Sequence, residues 1–384
     1  MQTVRLLQPQ KILFGPGCAA QCATDLLALG IERALIITSP PIVKLAAALA
    51  DALREGGCAV EVYPDIAEEP SITTFEKALA AARLAKPQAV VGLGGGSAMD
   101  VAKLVAALYD GPGVQNVRDV LGIDLLRSRA LPLVCLPTTA GTGSEVSPNA
   151  ILLDEVEGLK KGAISPHLMP DAAYVDPVLT VTAPPGVTAA TGLDALTHCI
   201  ETFANKFAHP MVDLYSLQGM RLIAGSLVQA VTHGDDLEAR TRMAMGSLYG
   251  GLGLAPVNTA AVHALSYPLG SEFHVAHGVS NAVLLPHVLR FNLPAAPERY
   301  AEMALALGAN AGGSVLQTAE RGVDRVSELC RECGIPAGLP ALGVPADAIP
   351  GLAVSAMKVT RLLKNNLREL TVADAEAIYR AACA

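Results

Sequence analysis

The chain has 384 residues, a net charge of −8, 51% hydrophobic residues and only 17% charged ones. That length exceeds one ordinary core, so two domains are expected. The acidic balance and the lack of Lys/Arg clusters argue against a nucleic-acid partner. No 18-residue apolar run offers a membrane span, since the stretch 89–109 is interrupted by glycines, Asp100 and Lys103.

The N-terminus, MQTVRLLQPQKILFG, has no long apolar core and no cleavage signature, so a cytoplasmic protein is expected. The first half alternates β-branched runs with helical periodicity. RALIITS (33–39), AVEVYPD (59–65), PQAVVGLGG (87–95) and LPLVCLPT (131–138) read as strands. Residues 44–57 and 74–86 between them read as helices. Such alternation predicts a doubly wound parallel sheet. After the Pro-Pro at 184–185 the pattern becomes helical, with long stretches at 211–234, 236–255, 299–308, 314–334 and 371–384. The boundary is placed near 180–186, giving an α/β domain over 1–184 and an all-helical one over 185–384. The apolar surplus, with a mean hydropathy of +0.40, points to large cores and a subunit interface in a homodimer. The cysteines at 18, 22, 58, 135, 199, 330, 333 and 383 are scattered and expected to be reduced, the CxxC at 330–333 being incidental.

Two loops carry nucleotide-binding character. GLGGGSAMDVAK (92–103) follows a strand and opens a helix. Gly94, Gly95 and Gly96 let the backbone approach an anion, and Ser97 can cap or donate. Asp100 and Lys103 in the following turns add specificity. The pattern is neither GxGxxG nor a Walker A loop, and it reads as a pyrophosphate cradle. PTTAGTGSEVSPNA (137–150) also follows a strand and offers Thr138, Thr139, Thr142 and Ser144 to close over a nucleotide.

Metal-binding character lies further along. Among the eight histidines, single positions fit a surface or core role as readily as a ligand. Asp194 and His198, in TGLDALTHCIE (191–201), are four apart and share a helix face. His263 and His277 follow in AAVHALSYPLGSEFHVAHG (260–278). One carboxylate and three imidazoles suit Fe(II), Zn(II), Ni(II) or Co(II), and suit calcium or magnesium poorly.

The motifs GGGSAMDVAK, PTTAGTGSEV, PDAAYVDP (170–177), TGLDALTHCIE and HGVSNAVLLPHV (277–288) resemble the iron-containing (group III) alcohol dehydrogenases, in order, over about residues 10–370. The resemblance implies a Rossmann-like dinucleotide-binding domain, then an all-helical metal-binding domain, with the active site in the cleft between them. It places the metal ligands, for Fe(II) foremost, on Asp194, His198, His263 and His277. It places the phosphate loop on Gly94, Gly95, Gly96 and Ser97, and the second nucleotide loop on Thr138, Thr139, Thr142 and Ser147. Asp100 and Lys161 complete the expected cofactor-binding set.

Two departures stand out. Many members carry a histidine four residues after the third ligand, where this chain has Tyr267. A phenol relays a proton at neutral pH less readily than an imidazole. His274 could take that role, bind substrate or merely line the site. At the end of the second strand, where NAD-preferring members often place an aspartate, this chain has Ser39. NADP is therefore not excluded, and the cofactor reads as NAD or NADP. The expected reaction is reversible hydride transfer to or from a small alcohol or aldehyde. The alternative is a maleylacetate or hydroxybutyrate-type reductase, which would need cations, with Lys161 the main candidate. A phosphate-eliminating cyclase would need more basic residues, and a non-catalytic nucleotide binder would not need the full ligand set.

Overall fold

The computed structural model describes residues 3–66, 69–110 and 115–383. They form two compact units. One holds residues 7–139 and 143–182, and the other holds residues 3–6, 140–142 and 183–383.

The first unit is α/β. Its strands are β1 (Lys11–Phe14), β2 (Arg33–Ile37), β3 (Ala59–Tyr63), β4 (Ala89–Gly94), β5 (Gly122–Ile123), β6 (Leu133–Pro137), β7 (Asn149–Asp154), β8 (Leu159–Ile164) and β9 (Ala172–Val175). Its helices are α1 (Ala20–Ala28), α2 (Val43–Glu55), α3 (Ile72–Ala85), α4 (Gly96–Leu108) and the short α5 (Val117–Val120). Six strands make one parallel sheet in the order β1-β9-β6-β4-β2-β3. β4 and β6 are buried at every position, which is why they read as unbroken apolar runs. A small sheet, β5-β8-β7, was not anticipated. Its hairpin strands alternate weakly, β7 being buried only at every second residue.

The strand order reverses direction at β4. β3 lies on one side of β2, whereas β4, β6 and β9 continue on the other. Open sheets bind ligands at the strand carboxyl ends beside such a reversal. Here those ends carry Ser39 after β2, the glycine turn after β4 and the Thr138–Thr139 pair after β6.

The second unit is helical. It comprises α6 (Pro185–Phe203), α7 (Pro210–Ala224), α8 (Leu227–Thr232), α9 (Leu237–Leu254), α10 (Ala261–Phe273), α11 (His277–Asn292), α12 (Pro297–Ala306), α13 (Val315–Glu332), α14 (Ile349–Ala356), α15 (Thr360–Leu363) and α16 (Val372–Ala381). The single helix expected over 211–234 is two, broken at Gly225–Ser226. One large apolar cluster runs from Leu193 and Ile200 of α6 through Met243, Leu265 and Leu285 to Tyr379. α6 is buried along most of its length, so its polar residues Asp194, His198 and Glu201 are held inside that core. No described helix is long and apolar enough to cross a membrane.

Candidate metal centre and nucleotide loop

Three helices of the second unit bring the metal candidates together. α6 presents Asp194 and His198 one turn apart, α10 supplies His263, and α11 opens with His277. Asp194 Oδ1 lies 3.7 Å from His198 Nε2, 3.5 Å from His263 Nε2 and 3.7 Å from His277 Nε2. The His198 and His263 Nε2 atoms are 3.1 Å apart. Donor atoms of Asp194, His263 and His277 fall within 4.8 Å of one another, close enough to share one ion. Asp194, His198 and His263 side chains are 6% exposed or less, while His277 is 31% exposed and gives the cluster its solvent side.

Glycine makes the approach of these helices possible. A Cβ on Gly278 would stand 2.2 Å from the Ala190 carbonyl oxygen on α6. The first turn of α11 therefore rests against the α6 backbone, and that contact sets His277 beside Asp194. A Cβ on Gly141, in the segment 140–142 that belongs to this unit, would stand 2.6 Å from the Thr191 Cβ.

The electrostatics suit a cation. Burial pushes the Asp194 carboxyl up, but the His198, His277 and His263 imidazoles outweigh it and hold the group far below the carboxylate range. Burial pushes His263 down, yet Glu201 and Asp194 raise it to about 9. Burial lowers His198, against the pull of Asp194. Asn281, buried on α11, donates from Nδ2 to Asp194 Oδ1 at 2.7 Å, while its own Oδ1 has no partner among the described residues. One hard oxygen with three imidazole nitrogens, buried and mutually oriented, fits a divalent transition metal.

In the first unit, Gly95 caps α4 with extended backbone, and no side chain there caps it by a hydrogen bond. A Cβ on Gly94 would meet Ala98 Cβ at 2.8 Å and Ile42 Cδ1 at 3.3 Å. Only glycine leaves room between α4 and the turn that follows Ser39. A Cβ on Gly95 would stand 3.6 Å from Thr139 Oγ1, and Thr138 N–H donates to the Gly94 carbonyl at 3.0 Å. Gly94, Gly95, Gly96 and Ser97 are thus gathered with Ser39, Thr138 and Thr139 at neighbouring strand ends.

Several expected cofactor contacts have other work. The Asp100 carboxylate turns inward, accepting from Ser144 Oγ at 2.6 Å and Ile151 N–H at 2.9 Å. Lys103 is fully buried and donates to Ser144 Oγ, the Ser147 carbonyl and the Asn149 carbonyl at 2.7–2.9 Å. These residues fasten the second loop to α4. Lys161 sits on β8, matched by Glu157 at 2.6 Å and Asp154 at 3.1 Å, so its charge is neutralised inside its own hairpin. Thr142 groups with the helical unit.

The two relay candidates part company. The Tyr267 ring lies 6.0 Å from that of His277. Burial raises its phenol further above neutrality, and Arg361 only partly opposes this. His274 ends α10 in the left-handed region at φ 56°, with an exposed side chain. Among the described residues, it makes no hydrogen bond or ring contact with the cluster.

Against known proteins, both halves of the chain match one family. Residues 9–177 match the iron-containing alcohol dehydrogenase model, and residues 188–383 match the Fe-containing alcohol dehydrogenase family, C-terminal. The chain belongs to the iron-containing alcohol dehydrogenase family. Long-chain-alcohol dehydrogenase 1 of Geobacillus thermodenitrificans (strain NG80-2) is 41% identical, over 100% of this chain and 98% of its own length. Among solved structures, 1,3-propanediol oxidoreductase is 35% identical with a TM-score of 0.95, covering 99% of this chain and 100% of that one. Sulfoacetaldehyde reductase from Bifidobacterium kashiwanohense, in complex with NAD+, is 30% identical with a TM-score of 0.89, covering 100% of both chains. As a member of the iron-containing alcohol dehydrogenases, this chain is an oxidoreductase acting on CH–OH groups.

Sequence reasoning missed Glu201 and Asn281, which touch His263 and Asp194. Glu201 stands in the quoted TGLDALTHCIE motif, seven residues after Asp194 and so on its helical face. Asn281 follows His277 by four, the same spacing that drew attention to Asp194 and His198.

Proposed function

We propose that this enzyme carries out reversible hydride transfer between NAD and a small primary or secondary alcohol or its aldehyde. In this reading Asp194, His198, His263 and His277 hold one divalent metal, Fe(II) before Zn, Ni or Co. The observation that carries it is the convergence of one carboxylate oxygen and three imidazole nitrogens inside the helical unit. A metal held there supplies Lewis acidity toward the substrate oxygen, and the nicotinamide carries the hydride.

The chain's own residues position the reactants. The N–H groups and dipole at the start of α4, behind Gly94, Gly95, Gly96 and Ser97, receive the pyrophosphate. Thr138 and Thr139 close the loop, while Asp100, Lys103 and Ser147 hold its shape. The NAD+ complex of the sulfoacetaldehyde reductase supports NAD. Ser39 carries no charge to repel a 2′-phosphate, so NADP is also accepted. Tyr267 keeps its proton at neutral pH and acts as a wall of the site, and substrate approaches on the His277 side. The functional division is 1–184 for nucleotide and 185–384 for metal. A cytoplasmic homodimer belongs to the same reading, supported by the apolar composition and by Met211 and Leu214 exposed on α7. The maleylacetate alternative loses its candidate cation with the pairing of Lys161.

The test is an anaerobic screen of alcohols and aldehydes with NAD and NADP, with metal analysis of the same sample. One metal per chain and NAD-linked turnover are expected. Full turnover by His263→Ala in metal-free buffer contradicts the reading.

A further inference from the structure

We infer that Glu201 is the second carboxylate of the metal centre, a positioning residue that acts through His263. This rests on the four-residue metal reading above. His263 Nδ1–H donates to Glu201 Oε2 at 2.6 Å, and the other carboxylate oxygen accepts the Val262 N–H, also at 2.6 Å. The two bonds hold the imidazole and the backbone that carries it. They grip the start of α10 at two consecutive residues.

The first bond fixes the tautomer. With its proton on Nδ1, His263 turns the lone pair of Nε2 toward Asp194, His198 and His277. A carboxylate behind a ligating imidazole also raises its basicity, which strengthens the bond to a metal. Glu201 sits on α6, the helix of Asp194 and His198, so one rigid element orients three of the four ligands. The segment it holds is pinned independently. Asn205 Nδ2 donates to the Glu201 and Asn258 carbonyls, and Asn365 Nδ2 donates to the Thr259 carbonyl.

Charge bears on the same point. Glu201 is 4% exposed, and among the described residues no lysine or arginine forms an ion pair with it. When His263 is neutral, as a metal ligand must be, this buried carboxylate has no neighbouring cation but the ion itself, and without that ion its burial would be costly. Two carboxylates, Asp194 and Glu201, and three neutral imidazoles sum to −2, which a divalent ion cancels. Glu201 thereby matches the centre to an M(II) ion.

The experiment compares wild type, Glu201→Gln and Glu201→Asp as full-length apo-protein loaded with Co(II). Affinity is measured by chelator competition, with the visible d–d spectrum and the melting temperature of apo and loaded forms. The expected result for Glu201→Gln is affinity about 10–100-fold weaker, a shifted Co(II) spectrum and a smaller rise in melting temperature on loading. A purely structural role would lower the apo melting temperature but leave the spectrum and the loading increment alone. Glu201→Asp, which keeps the charge with a shorter reach, should fall between the two and serves if the glutamine variant does not fold. Wild-type affinity and spectrum in the substituted proteins overturn the role of Glu201. A wild type that takes up no Co(II) overturns the four-ligand site itself, and so tells the two failures apart.

Discussion

The two units build their sites from different materials. The nucleotide loop is mostly backbone: glycines at the end of β4, a helix N-terminus and a few hydroxyls on adjacent strand ends. The metal centre is side chain throughout, gathered from α6, α10 and α11 inside an apolar core. A backbone site tolerates changes that keep the main-chain path and fails when a Cβ intrudes. A side-chain site fails when a donor is lost or its support moves. The contrast leads to separable effects: changes in one unit should move nucleotide affinity, and changes in the other metal content.

The largest effect is expected from His263→Ala, which removes a donor at the centre of the cluster. Activity should fall to background and bound metal be lost, while NAD binding, followed by calorimetry, stays close to wild type. Next comes Gly278→Ala. Its Cβ would meet the Ala190 backbone at 2.2 Å, and neither helix can yield locally. Overpacking of this kind costs about 1–3 kcal/mol, read in denaturant melts, and metal content should drop with it because His277 is displaced.

Gly94→Ala is the counterpart in the first unit, where the intruding methyl meets Ala98. The NAD dissociation constant should rise while bound metal stays at the wild-type value. Loss of metal there would break the separation between the two sites. Ser39→Asp sharpens the same side, because a carboxylate at the end of β2 should suppress NADP-linked activity and spare NAD-linked activity. Comparing kcat/KM for the two cofactors checks it.

A last effect depends on pH. Glu145 is 2% exposed, and burial raises its carboxyl from 4.5 to about 7. Between those values the folded state holds the proton more tightly than the unfolded chain, so stability falls as pH rises through that window. Glu145→Gln should therefore gain stability relative to wild type at pH 8, by at most about 3 kcal/mol, with the difference vanishing below pH 4. Melts at the two pH values measure it.

The contrast between the sites also explains what the sequence disclosed. A backbone site is written as one contiguous string, so the glycine turn, its strand and its helix could be placed from residues 87–103 alone. Among the four metal candidates, Asp194 and His198 were legible from their helical spacing, while His263 and His277 were read as ligands with the help of the family resemblance. Their support was not legible. Glu201 looked like any helical glutamate, and only its burial against His263 shows its use. Asp100 and Lys161 have tertiary partners that their spacing does not reveal. Each stands where a charge could meet a nucleotide, yet tertiary contacts with Ser144 and Ile151, or with Glu157 and Asp154, claim them first. His274 lies near His277 in sequence, and the chain turns at α10's end and leaves its side chain exposed. The β7–β8 hairpin escaped notice because β8 carries little β-branched character.

The central claim is that one divalent metal sits among these four side chains. Crystals grown anaerobically from Fe(II)-loaded protein, with anomalous data on both sides of the iron edge, address it directly. The account requires one strong peak per chain, about 2.0–2.2 Å from the three Nε2 atoms and from Asp194, and its loss in His263→Ala. An active enzyme with no peak there, or with its iron bound elsewhere, would contradict it.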